Sequence, residues 1–328
     1  MTPMLHRVLV CLSLVAAAVG APSAALAADW PERPLRLIVP FSAGSSSDTI
    51  ARIVAARLAE HLGQQVVVDN RFGGSTVIGT DAVAKSPPDG YTLGLANATT
   101  HAASAALTQN LPFDPVADFA PVALIGSSPF VLVASPQLSA ATLEDAIALA
   151  KARPGALSYA SAGTGTLAHL AGELFRRKAG IEITHIPYRG TAQSTLDLMQ
   201  GRIDLSVSTI APTLEHIRAG RLRALAVMAG ARNAMLPEVP TVGEAGVPGC
   251  EAALWTALVV PARVPADIVA RLHAAMVAVV GSPDVQDSLR IQGVDPEPGP
   301  PAAVARLIAA DLAKWREVAA TAHITEAK

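Results

Sequence analysis

Short apolar runs alternate along the chain with segments in which apolar residues recur every three or four positions. The runs predict buried strands, and recurring positions such as Ile50, Ile53, Val54 and Leu58 predict helices between them. The predicted strands are residues 35–39, 66–68, 92–96, 130–134, 157–161, 183–186, 203–207, 222–227 and 258–260. Strands that alternate with helices are typical of βαβ units, so the pattern predicts an α/β fold with a largely parallel sheet.

The predicted elements fall into two blocks. One block precedes residue 130, a second follows it, and the chain ends in a helical tail that must pack on one of them. We predict two lobes, with crossings near residues 130 and 253. Domain 1 is then discontinuous, comprising residues 28–132 and 253–328, and domain 2 comprises residues 133–252.

The first 27 residues have a composition of their own. His6 and Arg7 form a short positive region, an apolar stretch follows at residues 8–19, and Ala25 and Ala27 form an A-x-A cleavage site. These features are typical of a secretory signal peptide, with a buried N-terminal helix as the alternative. We expect export through the inner membrane to the periplasm, after which Cys250 is the one cysteine left.

Charge and composition exclude several classes of protein. The 328 residues carry a net charge of −2, which offers no basic surface for nucleic acid. The mean hydropathy of +0.39 is high, but beyond the N-terminus no run of about 18 apolar residues is free of charge or proline. We therefore assign the excess of Ala, Val and Leu to the cores of a soluble protein.

Candidate chemistry lies in the loops that follow the predicted strands, because open α/β sheets bind ligands at the carboxyl ends of their strands. The first loop joins a strand to a helix N-terminus and comprises Phe41, Ser42, Ala43, Gly44, Ser45, Ser46 and Ser47. Its N–H groups, its hydroxyls and the helix dipole make it a candidate anion site, with an ordinary helix cap as the alternative.

Two further loops follow the same logic. The second offers Asn97, Thr99 and His101. The third comprises Ser161, Ala162, Gly163, Thr164, Gly165 and Thr166 and leads into His169. The third loop matches a G-x-G-x-x-A dinucleotide pattern, but no aspartate closes the next strand, so a carboxylate fits it as well as a phosphate does. Asp204 adds a candidate acceptor beside the strand at residues 203–207.

Signatures of catalysis and metal binding are missing from the sequence. There is no G-x-S-x-G elbow, no G-x-x-x-x-G-K-[ST] loop and no H-E-x-x-H pair, and the eight histidines are scattered singly. We therefore expect no catalytic residue, no cofactor and no metal site. A pair built by the fold, such as Ser161 with His169, leaves a secreted serine hydrolase as an alternative.

Several segments resemble one family along the whole mature chain. They are WPERPLRLIVPFSAG (30–44), LGQ (62–64), PDGYTL (88–93), DFAPV (118–122), HLAGELF (169–175), PYRG (187–190) and LPEVPT (236–241). In this order they resemble the substrate-binding receptors of tripartite tricarboxylate transporters, the Bug family. The resemblance implies a two-lobed type II periplasmic binding fold that closes on a small organic anion, such as a di- or tricarboxylate or an acidic amino acid.

The resemblance also implies site residues and partners. It places ligand contacts in the loops of residues 41–47 and 161–166, with Asp204 near the cleft, and implies a membrane permease as partner for a monomeric receptor. The sequence departs from the family's pattern at Ser42, Ser45, Ser46 and Phe72, where prolines and glycines are usual. The serines predict extra hydroxyl donors and a less rigid first loop, and therefore a more hydroxylated or hydrated ligand. A receptor that serves a sensor kinase is a further alternative.

Overall fold

The fold is that of a computed structural model, which describes residues 30–108, 110–188, 190–322 and 324. The signal peptide predicted at residues 1–27 lies outside the described residues, as does Arg189. Strands and helices alternate along the described chain, as the apolar pattern predicts.

The strands are β1 (Leu35–Val39), β2 (Val66–Asn70), β3 (Thr92–Asn97), β4 (Phe119–Ala134), β5 (Ser158–Ser161), β6 (Thr184–Pro187), β7 (Leu205–Thr209), β8 (Arg223–Val227), β9 (Ala253–Pro261) and β10 (Asp295–Gly299). The α-helices are α1 (Ser46–Leu62), α2 (Val77–Ala84), α3 (Ser104–Leu107), α4 (Leu143–Ala152), α5 (Leu167–Ala179), α6 (Thr191–Met199), α7 (Ala211–Arg218), α8 (Ala266–Gly281), α9 (Pro283–Ile291) and α10 (Pro301–Thr321). A π-helix at Thr99–Ala103 precedes α3.

The sheet consists of two halves that share one strand. In the first half-sheet the order is β2-β1-β3-β9-β4, and β10 pairs with the other edge of β4. In the second half-sheet the order is β4-β7-β5-β6, and β8 also pairs with β4. Strands β1, β2 and β3 are parallel to one another, as are β5, β6 and β7, so each half contains the parallel unit that the sequence predicts.

β1 shows why the first half-sheet forms. Leu35, Leu37 and Val39 join one apolar cluster together with residues of α1 and α8, whereas Ile38 joins a different cluster. Successive side chains of a strand point to opposite faces, and both faces of β1 are covered. The position therefore requires a mainly apolar run, which only the half-buried Arg36 interrupts.

The 16 residues of β4 carry the chain from one half-sheet to the other. Phe119 through Pro129 pair with β9, and Phe130 through Ala134 pair with β7. This change of partners falls at the crossing predicted near residue 130, and the second predicted crossing, near residue 253, falls at the start of β9. The domain boundaries themselves stay a prediction.

The strand register directs the ligand-binding ends of both half-sheets toward this crossing. Asn97, at the end of β3, lies opposite Thr256, which in turn lies opposite Gly126 near the middle of β4. In the second half-sheet Thr209, the last residue of β7, lies opposite Phe130. Because β5 is parallel to β7, the carboxyl ends of the parallel strands in the two halves face each other across the crossing.

The C-terminal helix α10 packs on both halves, which corrects the expectation that the helical tail packs on one lobe. It contacts β4, the π-helix and α3, and it also contacts α5 of the second half-sheet. Arg177 Nη2 of α5 lies 2.6 Å from Glu317 Oε1 of α10. The apolar stripe of α10 is broad enough to cover elements from both sides of the crossing, and it includes Trp315, which is fully buried.

Some element boundaries were predicted wrongly. The strand predicted at residues 130–134 begins at Phe119, and the strand predicted at residues 258–260 begins at Ala253. β10 was missed. The missed part of β4 and the whole of β10 contain prolines and glycines, which normally interrupt strands, whereas the missed part of β9 contains neither. Here the register of β4 against β9 shifts next to Pro121, so a bulge accommodates the interruption.

In the described part of the chain, no single helix has the length and hydropathy of a membrane span. Helices α8 and α9 reach that threshold only when taken together, and they are bent by 72° relative to each other.

A buried hydrogen bond from a tryptophan ring joins β9 to α10 near the crossing and gives a test of the packing. Trp255 Nε1 of β9 donates to Asp311 Oδ2 at 2.8 Å, whereas Trp315 Nε1, also buried, has no partner among the described residues. We expect Trp255→Phe to lower the free energy of unfolding by about 1–2 kcal/mol more than Trp315→Phe, because only the first leaves a buried acceptor without its donor. Urea denaturation of the mature chain measures both values; equal losses would contradict this interpretation.

Candidate functional site

The three loops selected from the sequence lie at the facing ends of the two half-sheets. The 41–47 loop follows β1, the 97–101 loop begins at the end of β3, and the 161–166 loop begins at the end of β5. A methyl group built on Gly165 would lie 3.3 Å from Leu107 Cδ1, so the third loop reaches α3 of the first half-sheet. The fold therefore brings these loops into one region of the molecule.

A buried carboxylate shapes the 41–47 loop. Asp48 Oδ2 accepts hydrogen bonds from Gly44 N at 2.8 Å and Arg52 Nε at 3.0 Å, and Oδ1 accepts from Asn70 Nδ2 at 2.9 Å. The bond from Arg52, supported by those from Gly44 and Asn70, lowers the pKa of Asp48 to about 2. The loop thus curls around a charge that is already neutralised, and Gly44 supplies the positive φ of 79° that the curl requires.

Ser45 N donates to Ser42 O at 3.2 Å, but the donors of the two serines that follow are free. Ser45 Oγ accepts from Asp48 N at 3.2 Å and so acts as the N-cap of α1. The amide and hydroxyl groups of Ser46 and Ser47 have no hydrogen-bond partner among the described residues. The exposed Ser46, together with the positive end of the α1 dipole, therefore offers donors to an anion.

The 97–101 loop is mainly structural, which revises the sequence prediction. Asn97 Oδ1 accepts from Thr99 N and Thr100 N at 2.9 and 3.0 Å, so it starts the π-helix. His101 is 1% exposed, and its ring centroid lies 4.5 Å from that of Phe119. Burial lowers the pKa of His101 to about 3. His101 therefore belongs to the core, and Thr99 is the half-buried member of this loop.

The 161–166 loop forms a second helix N-terminus. Thr166 Oγ1 accepts from His169 N at 3.3 Å and donates to Gly163 O at 2.7 Å, so it caps α5 and closes the loop. The amide groups of Thr164, Leu167 and Ala168 have no acceptor among the described residues. This loop therefore presents free donors from the second half-sheet, as the 41–47 loop does from the first.

Two imidazole rings lie directly beneath the 161–166 loop. His169 and His185 are stacked, with ring centroids 3.8 Å apart and planes 10° apart. Gly165 N donates to His169 Nδ1 at 3.1 Å, and Ser161 Oγ lies 2.7 Å from His185 Nε2. The serine–histidine pair considered from the sequence, Ser161 with His169, is therefore wrong: Ser161 pairs with His185, which sequence reasoning did not select.

Asp204 does not join the loops, which corrects its assignment to the cleft. It precedes β7, whereas the cleft end of that strand is Thr209. Its Oδ2 accepts from Ser158 N at 2.8 Å and Ser158 Oγ at 2.9 Å, at the opposite end of β5 from Ser161. Five residues of strand span about 17 Å, so the carboxylate ties β5 to β7 far from the ligand-binding edge.

A further segment at the same edge was not selected from the sequence. Residues 73–76 follow β2, and all four have positive φ: Gly73 at 127°, Gly74 at 52°, Ser75 at 50° and Thr76 at 80°. Positive φ is uncommon for serine and more so for a β-branched threonine, and such conformations cluster at functional sites. The glycine pair after a predicted strand was the signal that could have revealed this segment.

Asp48 provides a test of how the 41–47 loop is held. We expect Asp48→Asn to lower the free energy of unfolding at pH 7 by about 2 kcal/mol, because the native pKa of about 2 lies below the ordinary value of 3.8. This contribution is complete above about pH 4 and is lost as the pH falls toward 2. Urea denaturation between pH 7 and pH 2 measures it.

The matched control for this test is Asp89→Asn. Asp89 also pairs with one arginine, Arg33, at 2.9 Å, but both side chains are exposed. Exposed pairs of this kind contribute about 0–1 kcal/mol. Asp89 also accepts a backbone amide, from Tyr91 N at 3.1 Å, so equal destabilisation by the two substitutions would show that burial of the Asp48 carboxylate does not stabilise the loop.

Comparison with known proteins identifies the family of this chain. A family model described as the tripartite tricarboxylate transporter family receptor matches residues 50–323. Protein BugT of Bordetella pertussis is 37% identical over 313 residues, which cover 95% of this chain and 96% of BugT.

Solved structures of similar proteins extend the comparison. Rpa4515 of Rhodopseudomonas palustris, solved with adipate, is 39% identical with a TM-score of 0.76, covering 90% of this chain and 99% of that one. MatC of the same organism, solved with bound malate, is 32% identical with a TM-score of 0.73, covering 88% of this chain and 99% of that one.

These matches confirm the predicted fold class, the two-lobed α/β fold of periplasmic binding proteins. They also confirm the resemblance that the sequence segments suggested. Members of the family are periplasmic solute-binding receptors, and this chain is a receptor of that kind. The chain belongs to the tripartite tricarboxylate transporter receptor family, whose members include the Bug proteins.

Proposed function

We propose that this receptor binds a small organic carboxylate between the 41–47 and 161–166 loops and delivers it to the membrane permease of a tripartite tricarboxylate-type transporter. The observation that carries the proposal is the pair of facing helix N-termini. The free amides of Ser46 and Ser47 come from one half-sheet and those of Thr164 and Leu167 from the other. A ligand with two or more carboxylates matches two donor sites on opposite walls.

Charge and chemistry support a carboxylate over a phosphate. The loops hold their donors on backbone amides and hydroxyls, and neither loop contains lysine or arginine. Adipate in Rpa4515 and malate in MatC are both dicarboxylates, and those proteins share this fold over about nine-tenths of the chain. A di- or tricarboxylate, an acidic amino acid or a related acid is therefore the ligand class that we assign.

Ligand binding would close the two lobes about the crossing strands, and the closed form would dock on the permease. We infer that the signal peptide delivers the chain to the periplasm, that the receptor works as a monomer, and that it uses no cofactor. A receptor that serves a sensor kinase would have the same site and ligand and would differ in its partner. Co-purification from native membranes with permease subunits, as against a sensor kinase, separates the two.

A secreted serine hydrolase is the second candidate, because Ser161 Oγ lies 2.7 Å from His185 Nε2. Two observations weigh against it. Ser161 is 1% exposed, and its oxygen already accepts from Gly163 N at 3.2 Å. Among the described residues, no carboxylate is hydrogen-bonded to His185 to orient it, as an activated pair requires. We therefore assign no covalent chemistry to the protein.

The first test is a ligand screen of the refolded mature chain. We expect at least one acid from a panel of di- and tricarboxylates and acidic amino acids to raise the melting temperature, because a ligand that binds only the folded state stabilises it. Calorimetric titration of each hit with the wild-type chain gives the affinity. A panel without any hit would contradict the proposal, and release of acid from an ester panel that disappears in Ser161→Ala would favour the hydrolase.

The serines of the first loop give a second test, because two neighbouring hydroxyls have different roles. Ser46→Ala removes a free donor, and we expect it to weaken carboxylate binding about 3- to 10-fold with little change in stability. Ser45→Ala removes the N-cap acceptor of α1, and we expect it to lower the free energy of unfolding by about 1 kcal/mol. Titration and urea denaturation of both variants check this; unchanged affinity in Ser46→Ala would show that its hydroxyl does not contact the ligand.

A further inference from the structure

The stacked imidazoles of His169 and His185 connect two elements beneath the 161–166 loop. His169 lies in the first turn of α5, and His185 lies on β6, the edge strand of the second half-sheet. Each ring holds one end of the loop: His185 contacts Ser161 at its start, and His169 accepts the amide of Gly165 near its end. No other histidine of the described chain stacks on a second imidazole.

The hydrogen bonds define the protonation state of the pair. Because the N–H of Gly165 donates to His169 Nδ1, that nitrogen carries no proton, and His169 is neutral with its proton on Nε2. A proton on Nδ1 would place two donors against each other. A positive charge on either ring would also lie 3.8 Å from its partner ring, where a second charge would be repelled.

The surroundings favour the neutral form. Burial lowers the pKa of His169, and burial together with the neighbouring His169 lowers the pKa of His185 to about 4. Glu173 opposes both shifts, but its carboxylate already accepts from Tyr159 Oη at 2.7 Å and Arg176 Nε at 2.8 Å. The Tyr159 ring centroid lies 4.9 Å from that of His185, on the face next to β5.

Charged groups on the other neighbouring elements are paired elsewhere. After β6, the Tyr188 hydroxyl donates to Asp197 at 2.8 Å, and Asp197 also accepts from Arg202 at 3.0 Å. On α10, which packs against α5, Glu317 pairs with Arg177 at 2.6 Å. On the π-helix, which also contacts α5, His101 is buried in the core.

We propose that His169 and His185 are positioning residues that act as one neutral unit: they hold the amides of the 161–166 loop toward the cleft, and uptake of a proton by the pair releases the loop and weakens ligand binding. This inference rests on the proposed function, since it assigns the regulation of that same site. His169, which the sequence suggested as a ligand contact, thereby acts through the loop.

The direction of the pH effect follows from the lowered pKa values of His169 and His185. Both rings are neutral at pH 7, because burial lowers both pKa values below the ordinary histidine value of 6.5, that of His185 to about 4. Affinity is therefore constant near neutral pH and falls as the pH approaches 4. The unfolded chain takes up these protons at higher pH, so stability also declines as the pH falls from about 6.5 toward 4.

A substitution series separates the hydrogen bond from the titration. In His169→Asn the side-chain oxygen occupies the place of Nδ1, since both atoms are bonded to Cγ, so the acceptor for Gly165 is kept but cannot be protonated. His169→Leu removes the acceptor. His61→Asn, at the exposed end of α1, is the control for the loss of a histidine elsewhere.

Titrations with adipate and malate as probes, at steps from pH 7 to pH 4, give the first readout. We expect His169→Asn to bind as wild type at pH 7 and about twofold more tightly than wild type at pH 4, where about half of the wild-type pairs carry the proton, whereas His169→Leu binds about tenfold more weakly at pH 7. Protonation of the probe itself affects all variants equally and cancels in the comparison. A constant ratio between wild type and His169→Asn across this range would overturn the proposal.

Nitrogen-15 spectra of the histidine rings in the ligand-free wild-type chain give a readout that does not need a ligand. We expect His169 to be neutral with its proton on Nε2 at pH 7, and the Gly165 amide resonance to move together with the His169 and His185 resonances as the two rings take up protons at acidic pH. If neither adipate nor malate binds while the spectra behave as expected, these two dicarboxylates are excluded as ligands and the pair's role stays intact. A protonated Nδ1 at pH 7, with binding intact, would refute the pair's role alone.

Discussion

The pairing of one strand with two half-sheets is the constraint on which the rest of the molecule depends. β4 gives its backbone hydrogen bonds to β9 up to Pro129 and to β7 from Phe130 onward. Buried backbone groups must be paired, so this single strand fixes the position of both halves. The carboxyl ends of the parallel strands then face each other, and every loop that follows them lies near the crossing.

The two facing loops are both held in shape by buried side chains, but a charged side chain holds the first loop and neutral side chains hold the second. In the first, a buried and charged carboxylate, Asp48, takes the amide of Gly44 and is balanced by Arg52. In the second, neutral imidazoles take the amide of Gly165 and contact Ser161. In each loop some of the N–H groups form hydrogen bonds that hold the loop in shape, and the others stay free at a helix N-terminus. A net charge near zero is consistent with a site built from amides and hydroxyls.

Much of the fold could be predicted from the sequence, because its signals are local. The apolar run of β1 and the helical spacing of α1 predicted elements close to those observed, since both are set by periodicity and burial. β10 and the first part of β4 could not be found in this way. Their prolines and glycines lack strand propensity, and they pair only because long-range neighbours supply the partners.

The sequence by itself determined the α/β class, the family and the two loops, 41–47 and 161–166, that carry free donors, because turn chemistry and strand-to-helix transitions are encoded in consecutive residues. Only the tertiary structure decided what each side chain does there. His101 enters the core, Asp204 lies at the far end of its strand, and His185, 24 residues from Ser161, becomes its partner. Such pairings depend on strand register and burial, which bring together residues that are distant in the chain. Neither segment alone contains a sequence pattern that predicts the pairing.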